Sequence, residues 1–157
     1  MISITEIGHA DINTFWELHW AYLNRDIFDE HDTDELREHF RSNDYRGTIE
    51  KYMDRFPDKA HLLYFIREGI RIGCAQYIIY KSEDGKCFIL DFWVFPEYRG
   101  KGTGHDCFKK LSQYAQADEA LYFELNVANE RGHKFWSDIG FVDNGMDEYG
   151  MPLMKKA

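Results

Sequence analysis

The sequence predicts a mixed α/β domain built on one sheet, and three observations carry that prediction. Apolar residues recur at helical spacing through the first third of the chain. From residue 61 the period becomes that of strands. After a nearly continuous apolar run at 87–95, a glycine-rich turn leads into an amphipathic helix and then another strand, the mark of a β-α-β unit. With 157 residues and no internal repeat or low-complexity linker, the whole of 1–157 reads as a single domain.

Ile2, Ile4 and Ile7 mark a short first strand. Asp11 is placed to cap a helix carrying Ile12, Phe15, Trp16, Tyr22 and Leu23 on its apolar stripe. A second helical region is expected over 34–56, broken near 43–47 and stopped by Pro57. Residues 61–66 form a strand, Glu68-Gly69 a turn, and 72–80 the antiparallel partner. The 82–86 loop closes the next hairpin, with Gly85 supplying a positive φ. The run at 87–95 reads as a central strand buried on both faces, interrupted by one carboxylate, Asp91. The following helix is expected to bury Cys107, Leu111 and Tyr114; a strand at 121–127, a short helix at 131–138 and closing strands at 140–142 and 152–154 complete the order.

Composition excludes several classes. Hydrophobic residues at 44% and charged residues at 30% describe an ordinary folded chain, and 17% aromatics favour a ring-rich core. A net charge of −9 argues against nucleic acid as a partner, because phosphate backbones need a basic face. No apolar run is long enough to span a bilayer, and the first residues lack the shape of a secretion signal, so no membrane partner is expected. Cys74, Cys87 and Cys107 are odd in number and lack CxxC spacing, which predicts reduced thiols and a cytoplasmic location. His31, Asp32 and His39 do not repeat a ligand spacing and HExxH is absent, so no metal is expected.

The turn at Arg99-Gly100-Lys101-Gly102-Thr103-Gly104 is the most informative stretch. Glycine-rich turns that open helices expose backbone N–H groups at the positive end of the helix dipole, which suits phosphate. The dinucleotide fingerprint GxGxxG fails because His105 occupies its third glycine position, and the Walker spacing fails because Gly102 follows Lys101. Four basic residues (Arg99, Lys101, Lys109, Lys110) stand against Asp106 over 99–110, a local excess of positive charge in an acidic chain.

Val94-Phe95-Pro96-Glu97-Tyr98-Arg99 followed by Gly100, Gly102 and Gly104 closely resembles the acetyl-CoA-binding motif of the GNAT N-acetyltransferase superfamily, Q/R-x-x-G-x-G/A, with Arg99, Gly102 and Gly104 at its fixed places. Asn126-Val127-Ala128-Asn129 and 135–141, ending in Gly140-Phe141, resemble that family's later segment. The resemblance covers nearly the whole chain. It implies the family's α/β (α+β) acyltransferase fold: a mixed, mostly antiparallel central sheet flanked by helices, whose fourth and fifth strands splay apart. It implies acetyl-CoA as co-substrate, with main-chain groups of Phe92, Trp93 and Val94 pairing with the pantetheine amides. The N–H groups from Arg99 through Gly100, Lys101, Gly102, Thr103, Gly104 and His105 would cradle the pyrophosphate. Asn129 would contact the pantetheine side, and Trp136 would pack on cofactor or core.

The reaction the resemblance implies is direct attack of a primary amine on the thioester in a ternary complex. A base or a water chain must take the amine's proton, and a strand N–H near Val94 would hold the developing oxyanion. Asp91 is the candidate base, as the lone acid of an apolar strand; an Asp paired with a neighbouring Arg or a backbone donor, or pointing to a wet edge, is the alternative. Leu90 stands where polyamine acetyltransferases carry a further acid, which weakens that substrate class. The family's general-acid tyrosine is replaced by Trp136, whose indole cannot deliver a proton; Tyr149 and His133 are the substitutes considered, with Tyr149 taken as the catalytic candidate. Seven acids over 26–38, against Arg37, suggest a cationic amine acceptor, with a solvated acidic surface as the alternative; Tyr22, Trp16, Trp20 and Phe28 are rings to receive the amine, although Trp16 reads as core. A non-catalytic acyl-CoA sensor with the same fold is the competing reading. A homodimer is left open, since dimers are frequent in the superfamily.

Overall fold

Seven strands form one sheet in the order β1-β2-β3-β4-β5-β7-β6 in the computed structural model, which describes every residue from Met1 to Ala157. The elements follow in the order β1 (Ile2–Glu6), α1 (Ile12–Tyr22), α2 (Asp34–His39), α3 (Asn43–Tyr52), β2 (Ala60–Arg67), β3 (Ile70–Ile79), β4 (Lys86–Val94), α4 (Thr103–Ala117), β5 (Tyr122–Asn126), α5 (Glu130–Asp138), β6 (Val142–Met146) and β7 (Pro152–Lys156). Every neighbouring pair is antiparallel except β4 and β5, which are parallel because α4 carries the chain back across one face. The single sheet and the order of elements along the chain are those expected from the periodicity, and the mixed, mostly antiparallel sheet is the one the resemblance implies.

Strand alternation sends side chains into two cores. Leu63 and Phe65 of β2 and Ile89 of β4 join Phe108 and Leu111 of α4 on one face. Leu62 and Tyr64 of β2 and Trp93 of β4 join Phe15 and Trp16 of α1 and Ile49 of α3 on the other. β2 and β3 are buried on both faces along most of their length, whereas β4, the apolar run broken only by Asp91, is half-buried at Phe88, Leu90, Asp91 and Phe92. No helix is long and apolar enough to cross a membrane.

Several local expectations are corrected. Asp11 makes no capping hydrogen bond; it ends a short 3-10 turn, His9–Asp11, that leads into α1. The break in the second helical region falls before 43, not across 43–47: Ser42 accepts from the Tyr45 N–H and starts α3, which runs through Gly47. A cap at Ser42 and the cost of one mid-helix glycine are each of order 1 kcal/mol, and tertiary packing of Ile49 decides for the helix. Tyr114 is exposed, since the buried stripe of α4 is Cys107, Phe108, Leu111 and Ala115. Gly85 takes φ +80° as expected.

One feature of β4 positions everything that follows. Gln76 of β3 pairs with Asp91, while Tyr77 pairs with Ile89, so Leu90 is an extra residue, a β-bulge. The bulge turns both Leu90 and Asp91 toward the α1–α3 face. Pairing of β4 with β5 stops at Ile89 and Leu125, the same point along the strand.

At the sheet's other end, His61 Nδ1 donates to Glu6 Oε1 at 2.6 Å, and this bond holds the Glu6 carboxyl below its usual 4.5. Its stabilisation is complete above the unfolded value and is lost as pH falls through the lowered one. In acid unfolding followed by circular dichroism, Glu6→Gln is therefore expected to show a shallower loss of stability below about pH 4.5 than the parent chain. Identical acid limbs for the two proteins would remove Glu6 from the account.

Candidate active site in the parted sheet

Past Ile89, β4 continues to Val94 with β3 on one edge and no strand on the other. The gap left by β5 is a cavity of about 330 Å³. Phe92, Trp93 and Val94 form one wall, Asn129, Phe135 and Trp136 the opposite one. Gly100 and Gly104 close the end at which the chain leaves β4. Of the cofactor-binding and catalytic residues singled out from the sequence, the cavity brings together Phe92, Trp93, Val94, Arg99, Gly100, Gly104, Asn129 and Trp136; Asp91, the residue before Phe92, is not among its lining residues.

Three consecutive residues of the turn are left-handed: Gly100 at φ +91°, Lys101 at +54° and Gly102 at +76°. A Cβ at Gly100 or Gly102 would meet only open space, so glycine is needed there for conformation. Gly104 differs, because a Cβ would lie 2.7 Å from the Phe135 ring; here the missing side chain lets α4 approach α5. The N–H groups of Gly100, Lys101, Gly102, Gly104 and His105 donate to no protein acceptor. Successive free N–H groups in such a turn, at the start of the fifteen-residue α4, form an anion-binding concavity.

Two members of the expected cradle have other work. The Thr103 N–H (3.1 Å) and hydroxyl (2.9 Å) both donate to Gly100 O, so Thr103 braces the turn from a buried position. The Arg99 N–H donates to Pro96 O, its Nε donates to Val94 O at 2.8 Å, and its Nη2 meets Asp26 Oδ2 at 2.6 Å. Arg99 is therefore a wall of the cavity rather than a free cation. His105 sets its ring edge against Phe135. Lys101 is exposed in the turn itself.

Asp26 enters the sequence reading only as one of the seven acids over 26–38. It lies in a π-helical turn, Leu23–Ile27, that continues α1, and it lines the cavity. Burial alone would raise its carboxyl; the Arg99 and Arg25 guanidiniums outweigh that and hold it below the usual range. Its carbonyl accepts from Asn129 Nδ2 at 3.2 Å, while Asn129 Oδ1 caps α5 by accepting from the Gly132 N–H at 2.8 Å. Asp26 thereby ties the β4 side of the gap to the β5 side. Arg131, also unmarked in the sequence, lines the cavity and has no carboxylate within 4.0 Å.

Asp91 is neither paired with an arginine nor at a wet edge. Its side chain is 11% exposed, and its Oδ2 accepts from Gln76 Nε2 and lies 3.1 Å from His19 Nε2. Both partners are fully buried. Tyr22 stacks on Trp93 with centroids 4.4 Å apart, lines the cavity, and makes no protein hydrogen bond through its hydroxyl. Burial, then the charges of Asp91 and Asp26, push that hydroxyl well above its usual range, so it stays a donor.

Tyr149 is corrected by its position. It is 83% exposed in the turn joining β6 and β7 and takes no part in the cavity. His133 is bonded to Asp143 at 2.7 Å outside the cavity. Trp136 both lines the cavity and packs edge-to-face on Phe92, Phe108 and Phe141. Of the rings expected to receive a cation, Trp20, Phe28 and Trp16 are already faced by Arg41, Arg37 and Arg46.

The same architecture recurs among solved structures. The PaiA N-acetyltransferase from Thermoplasma acidophilum, solved with coenzyme A, superposes with a TM-score of 0.70 at 20% identity, covering 99% of this chain and 98% of its own. A GNAT-family acetyltransferase from Staphylococcus aureus gives 0.71 at 12% identity, covering 99% and 98%. The aminoglycoside acetyltransferase AAC(6')-Ib, solved with coenzyme A and kanamycin, gives 0.66 at 17% identity, covering 100% and 95%. The sequence itself matches the Acetyltransferase (GNAT) family over residues 8–141. A split sheet with a left-handed glycine turn at its mouth and a family match across most of its length lead to one assignment: the chain belongs to the GNAT acetyltransferase family.

Proposed function

We propose that this protein is an acetyl-CoA-dependent N-acetyltransferase that acetylates a primary amine by direct attack in a ternary complex. The observation that carries the reading is the set of five unpartnered N–H groups in the turn from Gly100 to His105, whose Gly100 and Gly104 line the gap between β4 and β5. A pyrophosphate matches those donors, and Lys101 and Arg131 add free positive charge beside them. An extended pantetheine arm matches the open edge of Phe92, Trp93 and Val94 as an added strand. Coenzyme A bound in PaiA and in AAC(6')-Ib supports the same fit.

When bound, acetyl-CoA supplies a thioester whose carbonyl carbon takes the amine's lone pair and whose thiolate leaves with the C–S electrons. Asp91 takes the proton released from the amine nitrogen. The open edge of β4 near Val94 offers main-chain N–H to the oxyanion. Tyr22, in place of Tyr149, donates a hydrogen bond inside the cavity, and its raised hydroxyl makes it a donor that keeps its proton. The acceptor is a small amine or a peptide amine. Five acids over 29–35 carry no arginine or lysine partner, and this field favours a cationic one; kanamycin in AAC(6')-Ib is in keeping with that. Three free, buried cysteines support a reducing, cytoplasmic setting.

Trp136 at the position of the family's general acid is the observation favouring an acyl-CoA sensor instead. Release of free thiol from acetyl-CoA with spermidine, kanamycin and a lysyl peptide separates the two. Turnover on any of them is the expected result, whereas binding without release on all three supports the sensor. Asp91→Asn is expected to lower kcat at pH 7 by about 10²-fold while the affinity for coenzyme A stays within about twofold. Unchanged rates would remove Asp91 from the chemistry. Gly102→Ala forces a side chain into the left-handed region at about 1–2 kcal/mol and should weaken coenzyme A binding about tenfold by calorimetry. Unaltered affinity would mean that the turn does not hold the diphosphate.

A further inference from the structure

Resting on the reading of Asp91 as the base, we infer that His19 and Gln76 are positioning residues that orient its carboxylate and select which oxygen receives the proton. Both approach the same atom. His19 Nε2 lies 3.1 Å from Oδ2, and Gln76 Nε2 donates to Oδ2 as well. Oδ1 receives no hydrogen bond from the protein.

The tautomer of His19 follows from its surroundings. Its Nδ1 is buried with no hydrogen-bond partner, as is Gln76 Oε1. A proton on Nδ1 would be an unsatisfied buried donor, which is costly; a bare lone pair there costs less. The single ring proton therefore sits on Nε2 and points at Asp91. The ring itself cannot turn. It stacks on Phe15 at 5.9 Å and on Tyr45 at 6.2 Å, with Trp16 edge-on at 5.5 Å. Gln76 is fixed just as firmly, because it is the cross-strand partner of Asp91 in the register set by the bulge, and its Nε2 also reaches Tyr45 at 3.3 Å.

With Oδ2 occupied by two donors, Oδ1 is the oxygen left to accept. In the transfer step the nitrogen–hydrogen bond of the acylated amine breaks, its electrons stay on nitrogen, and an O–H bond forms at Oδ1. A carboxylate free to rotate would present either oxygen in many orientations. One held at Oδ2 presents a single lone-pair direction, the kind of alignment on which proton transfer depends. The bulge makes this possible, since it turns Asp91 toward α1 rather than toward α4.

Two measurements on the intact chain decide the matter. Long-range 1H–15N spectra of ring-labelled histidine, with the His19 signal identified by its loss in His19→Gln, are expected to show the Nε2-protonated tautomer and a shift of that signal in Asp91→Asn. An Nδ1-protonated ring overturns the inference even if no amine acceptor is known. With spermidine or kanamycin as acceptor, His19→Leu should lower kcat at least about tenfold with KM for acetyl-CoA unchanged. His19→Gln, which keeps a donor at the Nε2 position, should restore kcat to within about threefold of the parent. Equal loss in both variants, or no loss in His19→Leu while Asp91→Asn is impaired, overturns the positioning role and leaves the base in place. Full activity in Asp91→Asn instead overturns the base, and the positioning role with it.

Discussion

The parting of β4 from β5 after Ile89 is the constraint on which the rest of the structure depends. Strands in a continuous sheet satisfy one another's backbone groups, and a gap between them needs another partner for those groups. The bulge at Leu90 begins where pairing with β5 ends, so one local irregularity both bends β4 away and re-aims Asp91. What keeps the gap from closing is aromatic volume. Phe135 and Trp136 of α5 stand against Phe92 of β4 at 5.8 and 5.2 Å, and large rings cannot compress.

Charge completes what packing begins. Arg99 leaves the glycine turn and returns to β4 and Asp26, while Asn129 reaches Asp26 from the far side of the gap. The turn, the end of α1 and the start of α5 are thus held by one carboxylate residue. Because the pairs are largely shielded from solvent, they are screened less than surface ion pairs and can fix the width of the cleft. The cost of burying Asp91 nearby is offset by two donors rather than by a counter-charge.

Features carried by local spacing were legible in the sequence. The turn that opens α4 is marked by Gly100, Gly102 and Gly104, and the central strand at 87–95 by an apolar run broken only by Asp91; the left-handed φ of Lys101 has no mark in residue type. The cavity walls at Phe92–Val94, Asn129 and Trp136 followed from the resemblance. Pairings between distant residues were not legible. Asp26 and Arg99 are 73 positions apart, His19 and Asp91 72, and no periodicity links them. The bulge leaves no mark either, since Leu90 fits an apolar strand in any register. Tyr149 misled for a related reason: residue type suggested a proton donor, but the β6–β7 turn carries it into solvent. The rings of Trp20 and Phe28 looked free for a cation because nothing in the order of residues shows that Arg41 and Arg37 fold over them.

The proposed function rests on backbone N–H groups past the end of β4 holding a diphosphate while its pantetheine arm enters the parted sheet. The most direct test is a titration of 15N-labelled protein with coenzyme A, followed by amide shifts. For that function the largest changes are expected on Gly100, Lys101, Gly102, Gly104 and His105, with a second group at Phe92, Trp93 and Val94. Saturable binding that leaves those amides unmoved and perturbs another surface would contradict it.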